Sequence, residues 1–365
     1  MLNGQDLQRP TYTCLQTIDG GAAAVCRKGT HEVLGITIVQ KTISLLGIPD
    51  GVAHEPSLLQ QFDHAHIVKV REAQFDPEFR TIQGVTFVCD YYEGGSISDA
   101  LLAGHRFNLE TTVAIAGQLL DALAYLHGQT GYVHRDVKPG NVLLDATRTR
   151  ACLGDLGSAA RLDNTGHADN CGGTLLYLDP AAKPSGQVTV ASDLYGLGVT
   201  LSEMLTGRYP YESINDLEVA SRLARGLRSL PDSAYELPPE TPPPISKLIA
   251  SLIHPDPAKR PKSAAEALRL LNEAAFIPWA RTSGTGLVGE WEGHWPRFSD
   301  TPRRYRLTVT EVPNGKRIGQ STVTVCQRKP GGNWRRIKTL CGYVPGGNAK
   351  ELAKVFRTVE RNAQA

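Results

Sequence analysis

The stretch His134-Arg135-Asp136-Val137-Lys138-Pro139-Gly140-Asn141, followed by Asp155-Leu156-Gly157, carries the strongest signal in the sequence. It brings a carboxylate, an ammonium group and two further oxygen-bearing side chains into a short span of chain. Asp136 can accept a proton, Lys138 can hold an anion, and Asn141 and Asp155 can ligate a hard cation. A polar loop between two strands has no need of this ordered spacing, so we interpret the stretch as a site for chemistry.

The order H-R-D-x-K-P-x-N, then D-x-G, resembles the catalytic loop of eukaryotic-type protein kinases, and Lys138 resembles the Ser/Thr branch. The resemblance implies a bilobal α+β fold with a β-rich small lobe and an α-rich large lobe. It also implies transfer of the γ-phosphoryl group of Mg-ATP to protein Ser/Thr hydroxyls, with autophosphorylation, and cofactors ATP and Mg²⁺. By resemblance, Asp136 accepts the hydroxyl proton, Lys138 contacts the γ-phosphate, and Asn141 and Asp155 hold the metal.

Upstream motifs extend the resemblance into the small lobe. Lys41 ends a β-branched, strand-like segment similar to the family's V-A-I-K, and Glu55 stands where the family has a helix glutamate. We expect the two to pair and to hold Lys41 at the α- and β-phosphates, although by type alone both residues are more often solvated. Pro56 suits only the first turn of a helix, so we expect the helix to begin near Glu55.

The glycine-rich loop is the poorest match to the family. Aligned on Val25, its three glycine positions hold Ile18, Gly20 and Ala23, with Gly21 beside Gly20. Residues 20–24 are all small, so a close approach of the backbone to phosphates is still expected.

Further residues are expected, by resemblance, to surround the adenine of ATP. These residues are Val25 and Val39 on one face of the adenine, Leu143 on the other face, Cys89 as gatekeeper, and the hinge backbone of Asp90 and Tyr92.

Leu156 replaces the usual Phe of D-F-G and is expected to pack against the helix that carries Glu55.

Residues 155–180 resemble an activation segment. Its end, Gly173 to Pro180, is similar to G-T-x-x-Y-x-A-P-E, which implies that Thr174 bonds Asp136 and Lys138. The final Glu of that motif is Ala181 here, so its usual partner, Arg260, needs another acid, and Asp179 is the substitute we expect.

Arg135 implies a phosphate on the activation segment. The candidate sites are Thr165 first and Ser158 second, and a phosphate there would order the segment through Arg135. In the alternative, Asp163 or Asp169 already supplies the negative charge.

Charge is divided unevenly along the chain. From residue 281 onward there are 16 Lys/Arg against 6 Asp/Glu, a net charge of +10, although the whole chain carries only +2. This predicts a boundary near residue 280. We expect a kinase domain over 1–280, with the small lobe at about 10–92 and the large lobe at about 93–280, and a basic α+β domain over 281–365.

The basic domain is predicted as a β-β-β-α module. Strands are expected over 304–312, 320–327 and 335–343 and a helix over 349–362, while residues 286–295 would add a strand and an aromatic anchor. Its role is open between binding nucleic acid, docking an acidic substrate or partner, and clamping the kinase lobe.

Composition and the lack of certain sequence motifs exclude several other classes of protein. The seven cysteines form no C-x-x-C pair, the N-terminus shows no signal region, and no run of 18 apolar residues occurs. We therefore expect a cytoplasmic protein with no membrane contact. Two other functions stay open: a pseudokinase or scaffold, because of the degraded glycine loop and Ala181, and a small-molecule kinase, which Thr174 disfavours.

Overall fold

The computed structural model describes residues 12–20, 24–45, 55–75, 83–170, 173–296 and 299–364. Its first part is an antiparallel sheet of five strands in the order β1-β2-β3-β5-β4, with one helix between β3 and β4. The bounds are β1 (Tyr12–Gly20), β2 (Ala24–His31), β3 (Ile36–Ser44), α1 (Glu55–Gln61), β4 (Val70–Phe75) and β5 (Gly84–Asp90).

Alternation along β3 decides which face of the sheet carries Lys41. Ile38, Gln40 and Thr42 are buried on one face of the sheet, so Val39 and Lys41 lie on the other. The β-branched and apolar run over 66–70 suggests a strand in the sequence, but residues 66–68 do not belong to β4. Backbone hydrogen bonds with Leu153 hold residues 66–68 against the large lobe, and the strand begins only at Val70.

The second part is mostly helical, with short strands around the loops. Its long helices, α3, α5, α7 and α8, pack around one apolar core. The elements are α2 (Ile97–Leu102), α3 (Leu109–Tyr125), β6 (Tyr132–Val133), β7 (Val142–Leu144), β8 (Ala151–Leu153), β9 (Ala160–Arg161), β10 (Ala168–Asp169), α4 (Ala182–Ser185), β11 (Gln187–Val188), α5 (Val190–Thr206), α6 (Asp216–Ala224), α7 (Pro243–Leu252) and α8 (Ala264–Asn272). The prediction of a bilobal α+β fold is confirmed.

Helix α5 is the element that positions the catalytic loop. Thr189 caps its N-terminus, where its side chain accepts a hydrogen bond from the backbone N–H of Ala191. A Cβ on Gly196 would lie 2.5 Å from the carbonyl oxygen of Val137, so only glycine allows the helix to approach the loop this closely. Among the described residues, no helix is both long and apolar enough to cross a membrane.

The C-terminal part is one antiparallel sheet of six strands with a helix against one face. The elements are β12 (Ala280–Thr285), β13 (Val288–Trp295), β14 (Arg303–Glu311), β15 (Gln320–Arg328), β16 (Arg335–Arg336), β17 (Gly342–Pro345) and α9 (Ala349–Gln364). The sheet order is β12-β13-β14-β15-β16, and β17 also pairs with β15. Helix α9 packs its apolar side, with Phe356 at the centre, against Trp279 and Trp291.

The predicted module is therefore too small: the additional strand expected over 286–295 is present as β13, but β12 was not predicted. Strands β12 and β13 are rich in glycine, and their close pairing needs it: a Cβ on Gly289 would lie 2.3 Å from the Ser283 carbonyl oxygen. Residues 335–343, predicted as one strand, form two short strands separated by a 3₁₀ turn. There the Cys341 sulfur accepts the Val325 N–H and interrupts the ladder.

Candidate active site

Asp193 on α5 fixes the backbone of the catalytic loop. Its carboxylate accepts the N–H of His134 at 2.7 Å and that of Arg135 at 2.8 Å, and it hydrogen-bonds with His127 Nε2 at 2.8 Å. Burial would raise the pKa of Asp193, but His127 and the backbone donors bring that pKa below its usual value. The loop is therefore held by a buried, ionised carboxylate.

Four predicted side chains meet at this loop. Lys138 Nζ lies 2.7 Å from Asp136 Oδ2 and donates to Thr174 Oγ1 at 2.7 Å. Thr174 approaches Asp136 Oδ1 with both its N–H and its hydroxyl at 3.2 Å. Asn141 Nδ2 donates to Asp136 at its carbonyl oxygen and at Oδ2, at 2.8 and 3.0 Å. A carboxylate, an ammonium group and a hydroxyl thus lie within hydrogen-bond distance of one another.

A second cluster joins β3, α1 and the D-L-G motif. Lys41 Nζ lies 2.8 Å from Glu55 Oε2 and 3.0 Å from Asp155 Oδ1. Glu55 is the first described residue of α1, and Pro56 follows it. The ion pair between β3 and α1 that the sequence suggested is present, and Asp155 joins it from a position 114 residues away in the chain.

Burial and charge oppose each other in this second cluster. Burial lowers the pKa of Lys41, but Glu55 and Asp155 together raise the pKa by more than burial lowers it. The net pKa is therefore above its usual value. Burial raises the pKa of Glu55 more than Lys41 lowers it. For Asp155, Lys41 outweighs burial and the pKa is lowered. At neutral pH Lys41 is therefore a cation and Asp155 an anion.

The backbone at Asp155 is adapted to this contact. Asp155 has a φ of +56°, in the left-handed region. Leu156 is fully buried in the cluster that contains Leu58 and Leu59 of α1. A Cβ on Gly157 would lie 3.3 Å from Asp155 Oδ1, so glycine leaves the carboxylate its room.

Asn141 and Asp155 fit a magnesium ion in donor chemistry. Asn141 turns its amide nitrogen toward Asp136, which leaves its carbonyl oxygen as a ligand. Asp155 is ionised, and its side chain is 45% exposed, so its second oxygen is accessible. Carboxylate and amide oxygens are the ligands that Mg²⁺ prefers.

Most of the residues expected around adenine lie on β3, β5 and the segment after β5. Val39 pairs directly with Cys89 across the sheet. Cys89 is buried, and burial raises its pKa to about 12, so it is a neutral thiol. Tyr92 and Leu143 pack against the cluster that includes Cys89. Asp90, the remaining hinge residue, hydrogen-bonds with Arg71 through its side chain.

The glycine-rich loop is described only in part. Gly20 ends β1 and pairs with Val25 of β2, and the Ile18 side chain is 45% exposed. Gly21 lies outside the described residues. The contact of this loop with phosphates therefore stays a prediction.

Arg135 reaches into the activation segment. It donates to the carbonyl oxygens of Ser158 and Asp169, the latter at 2.8 Å. Thr165 is exposed, and its hydroxyl donates to the Asp163 carboxylate at 2.7 Å. The Asp163 carboxylate thus caps a local turn, which lowers its pKa chiefly through the His167 N–H.

The end of the activation segment is tied to the large lobe by an ion pair. The two terminal nitrogens of the Arg260 guanidinium, Nη1 and Nη2, donate to the Asp179 carboxylate at 2.8 and 2.7 Å, and both side chains are almost fully buried. Asp179 also accepts from Ser192 Oγ at 2.8 Å. The acid expected to replace the missing glutamate at 181 thus lies two residues earlier, in bidentate geometry.

Sequence reasoning missed a second buried support. Glu203 of α5 is almost fully buried and accepts hydrogen bonds from the hydroxyls of Tyr177 and Tyr211 and from the N–H of Tyr209. Burial raises its pKa. A single acid within the apolar stretch 194–204 was the signal that marked it.

Comparison with known proteins agrees with this architecture. A family model described as "Protein kinase domain" matches residues 12–271, which is more than half of the chain. The chain therefore belongs to the protein kinase family. The C-terminal module lies wholly outside the matched range.

Several relatives carry serine/threonine kinase names. The chain is 25% identical over 293 residues to maternal embryonic leucine zipper kinase of Xenopus laevis, covering 78% of this chain and 41% of that protein. It is 28% identical over 260 residues to serine/threonine-protein kinase PrkC of Bacillus subtilis, covering 69% and 39%. It is 30% identical over 229 residues to probable serine/threonine-protein kinase WNK8 of Oryza sativa, covering 61% and 36%. The chain spans less than half the length of each.

Proposed function

We propose that this protein is an ATP-dependent serine/threonine protein kinase. The observation that carries the proposal is the contact of Asp136 with both Lys138 and Thr174, next to the cluster of Lys41, Glu55 and Asp155. Family membership and the names of the relatives support the same conclusion.

Asp136 is the proton acceptor in this proposal. Its carboxylate would take the proton of the substrate hydroxyl as that oxygen attacks the γ-phosphorus. Lys138, 2.7 Å from Asp136, would hold the γ-phosphoryl oxygens and stabilise the negative charge on them. Thr174 bridges the two groups, so it fixes their separation and borders the place where a Ser/Thr side chain enters.

ATP would be held by residues of both lobes. Lys41 would contact the α- and β-phosphates, and Glu55 keeps its ammonium group in place at 2.8 Å. Asn141 and Asp155 would hold Mg²⁺, which when bound supplies charge neutralisation at the phosphate oxygens. Val25, Val39, Cys89 and Leu143 would enclose the adenine, with the backbone at Asp90 and Tyr92 bonding its edge.

Autophosphorylation is part of the proposal. Thr165 is exposed in the activation segment, and Arg135 already contacts this segment at Ser158 and Asp169. A phosphate at Thr165 would add charge of about −1.5 to −2 within reach of a cationic loop. The exposure of Thr165 favours it over Ser158, whose side chain is half-buried.

The test is transfer of radiolabelled γ-phosphate to a generic protein substrate and to the chain itself. Asp136→Asn should lower transfer by about 10²–10⁴-fold, the usual contribution of a general base. Asp232→Asn is the matched control, because Asp232 is exposed in an ion pair with Arg228 and should leave the rate unchanged.

Other results would contradict the proposal in distinct ways. Binding of ATP without transfer by the wild type would indicate a pseudokinase or scaffold. Label that appears only on a small molecule would indicate a metabolite kinase. Incorporation that persists in Asp136→Asn would show that another group accepts the proton.

A further inference from the structure

The sheet of the C-terminal module has two unlike faces. Helix α9 covers one of them, where Tyr305, Leu307 and Val325 are buried. The residues between these positions point to the opposite face and are half-buried or exposed, among them Arg304 and Arg328. This second face carries polar and charged side chains rather than an apolar surface, so it is suited to a charged partner.

The positive charge gathers at one end of this face. We use the term basic end for the chain ends that meet there: Arg303 and Arg304 at the start of β14, Arg328 and Lys329 at the end of β15, and Trp334, Arg335 and Arg336 at β16. In register, Arg304 pairs directly with Arg328, and His294 of β13 pairs with Arg304. Three basic side chains thus lie in one row across the sheet.

This row is electrostatically unfavourable as it stands. Like charges directly opposite each other on neighbouring strands destabilise a sheet. Two residues further along β14, Arg306 is neutralised by Glu292 at 2.6 Å and Glu290 at 3.5 Å. Within the described part of the chain, neither Arg304 nor Arg328 has an ion-pair partner. Because no described carboxylate neutralises these two arginines, the pair is suited to bind an external anion.

An aromatic ring lies beside this charge. The Arg306 guanidinium is 4.4 Å and the Arg328 guanidinium 4.8 Å from the centroid of the Trp334 ring. The indole and the guanidinium groups are planar, and flat side chains of both kinds stack on nucleobases. Arg335 and Arg336, next in the chain, are exposed and extend the charge beyond the ring.

We propose that the basic end binds single-stranded nucleic acid. Arginines 304 and 328 contact the phosphates, and Trp334 with its neighbouring guanidinium groups stacks on bases. A polyanion fits better than one small anion because the charge runs across β14, β15 and β16. An acidic peptide would satisfy the arginines but would leave the ring and the guanidinium planes without a stacking partner. The module's net charge of +10 favours the same class of ligand.

The test uses the full chain and a fluorescently labelled single-stranded oligonucleotide of about 20 nucleotides, long enough for a stacking site. Binding is followed by anisotropy from about 50 to about 200 mM salt. Arg304→Gln with Arg328→Gln should weaken binding at low salt by about tenfold or more and reduce the salt slope by about 1.4, which is two phosphate contacts. Trp334→Ala should weaken binding about fivefold or more with an unchanged slope.

The matched control is Lys316→Gln with Lys350→Gln. It removes the same charge from the opposite end of the module, where the turn after β14 and the start of α9 lie, and should change affinity by less than about twofold. The proposal is overturned if the wild type does not bind, or if both double variants bind alike. Equal displacement of the oligonucleotide by poly-glutamate of matched charge would also overturn it and indicate an acidic protein partner. Kinase activity, measured in parallel, is independent of each outcome.

Discussion

The catalytic domain and the C-terminal module differ in whether particular charged side chains have partners of opposite charge. In the catalytic domain, Lys41 lies against Glu55 and Arg260 against Asp179, with distances of 2.8 Å or less. In the module, Arg304 and Arg328 face each other, and the buried Glu360 has no ion-pair partner among the described residues. Paired charges fix the position of reacting groups, whereas unpaired charges make stability and binding depend on pH, salt and ligand.

Asp179→Ala should have the largest effect on stability. It leaves the fully buried Arg260 without its carboxylate, and breaking a buried pair costs about 3–5 kcal/mol. The midpoint of thermal unfolding measures this. Adding Ala181→Glu places an acid where the family has one and should recover much of the loss. A double variant no more stable than Asp179→Ala would mean that position 181 cannot reach Arg260.

Lys41→Met should reduce kcat/KM by about 100-fold to 1,000-fold, equivalent to roughly 3–4 kcal/mol of transition-state stabilisation. Lys69→Met is the control, since Lys69 is an exposed small-lobe lysine paired with Asp63. Steady-state assays and circular dichroism separate lost activity from lost fold. An unchanged rate would show that Lys41 is not the phosphate-binding lysine.

Glu360→Gln should change how stability depends on pH. Burial raises the pKa of Glu360 from 4.5 to about 7, while the Ile277 N–H lowers it by less. The folded state therefore binds this proton more tightly than the unfolded state does. The resulting stabilisation is complete below about pH 4.5 and is lost as pH rises to about 7.

Above pH 7 the variant should therefore be more stable than the wild type, by at most about 3 kcal/mol. Thermal unfolding between pH 4 and 8.5 measures the difference. Glu351→Gln, at a half-buried residue of the same helix that pairs with Lys354, should follow the wild type. If stability depends on pH in the same way for Glu360→Gln and the wild type, then Glu360 does not bind its proton more tightly in the folded state.

Arg304→Gln should have the smallest effect. Removing one of two opposed like charges should raise stability by about 0.2–1 kcal/mol, and salt should reduce the gain. Thermal unfolding at low and high salt measures it. A loss of stability would mean that Arg304 makes a favourable contact and that the comparison between the two regions fails at this point.

Local sequence was sufficient to predict which residues meet at the catalytic loop. The order of Asp136, Lys138 and Asn141 predicted a phosphoryl-transfer site because that chemistry restricts residue types at short spacing. Apolar residues at helical spacing over 111–127 and 190–206 likewise indicate α3 and α5 from the sequence, within two residues of the observed bounds. The start of α1 near Glu55, expected from the position of Pro56, stays a prediction because residues 46–54 lie outside the described part of the chain.

Other features of the structure could not be predicted from local sequence patterns. The strand expected over 286–295 is β13, whereas β12 was not predicted because its small and polar residues show no apolar alternation. Residues 335–343 split because Cys341 contacts the backbone of Val325, which no period in the sequence reveals. The burial of Glu203 and Glu360 depends on which helices and strands pack over them.

The sequence by itself determined the family, and it predicted a division into two parts by charge and a set of candidate reacting groups. Tertiary structure alone decided which charges are neutralised: Asp155 reaches Lys41 across 114 residues, Asp179 reaches Arg260 across 81, and Arg304 meets another arginine. The reason is physical. Residue type and spacing fix what a group can do, but the free energy of a charge depends on neighbours that only the folded chain brings within a few ångströms.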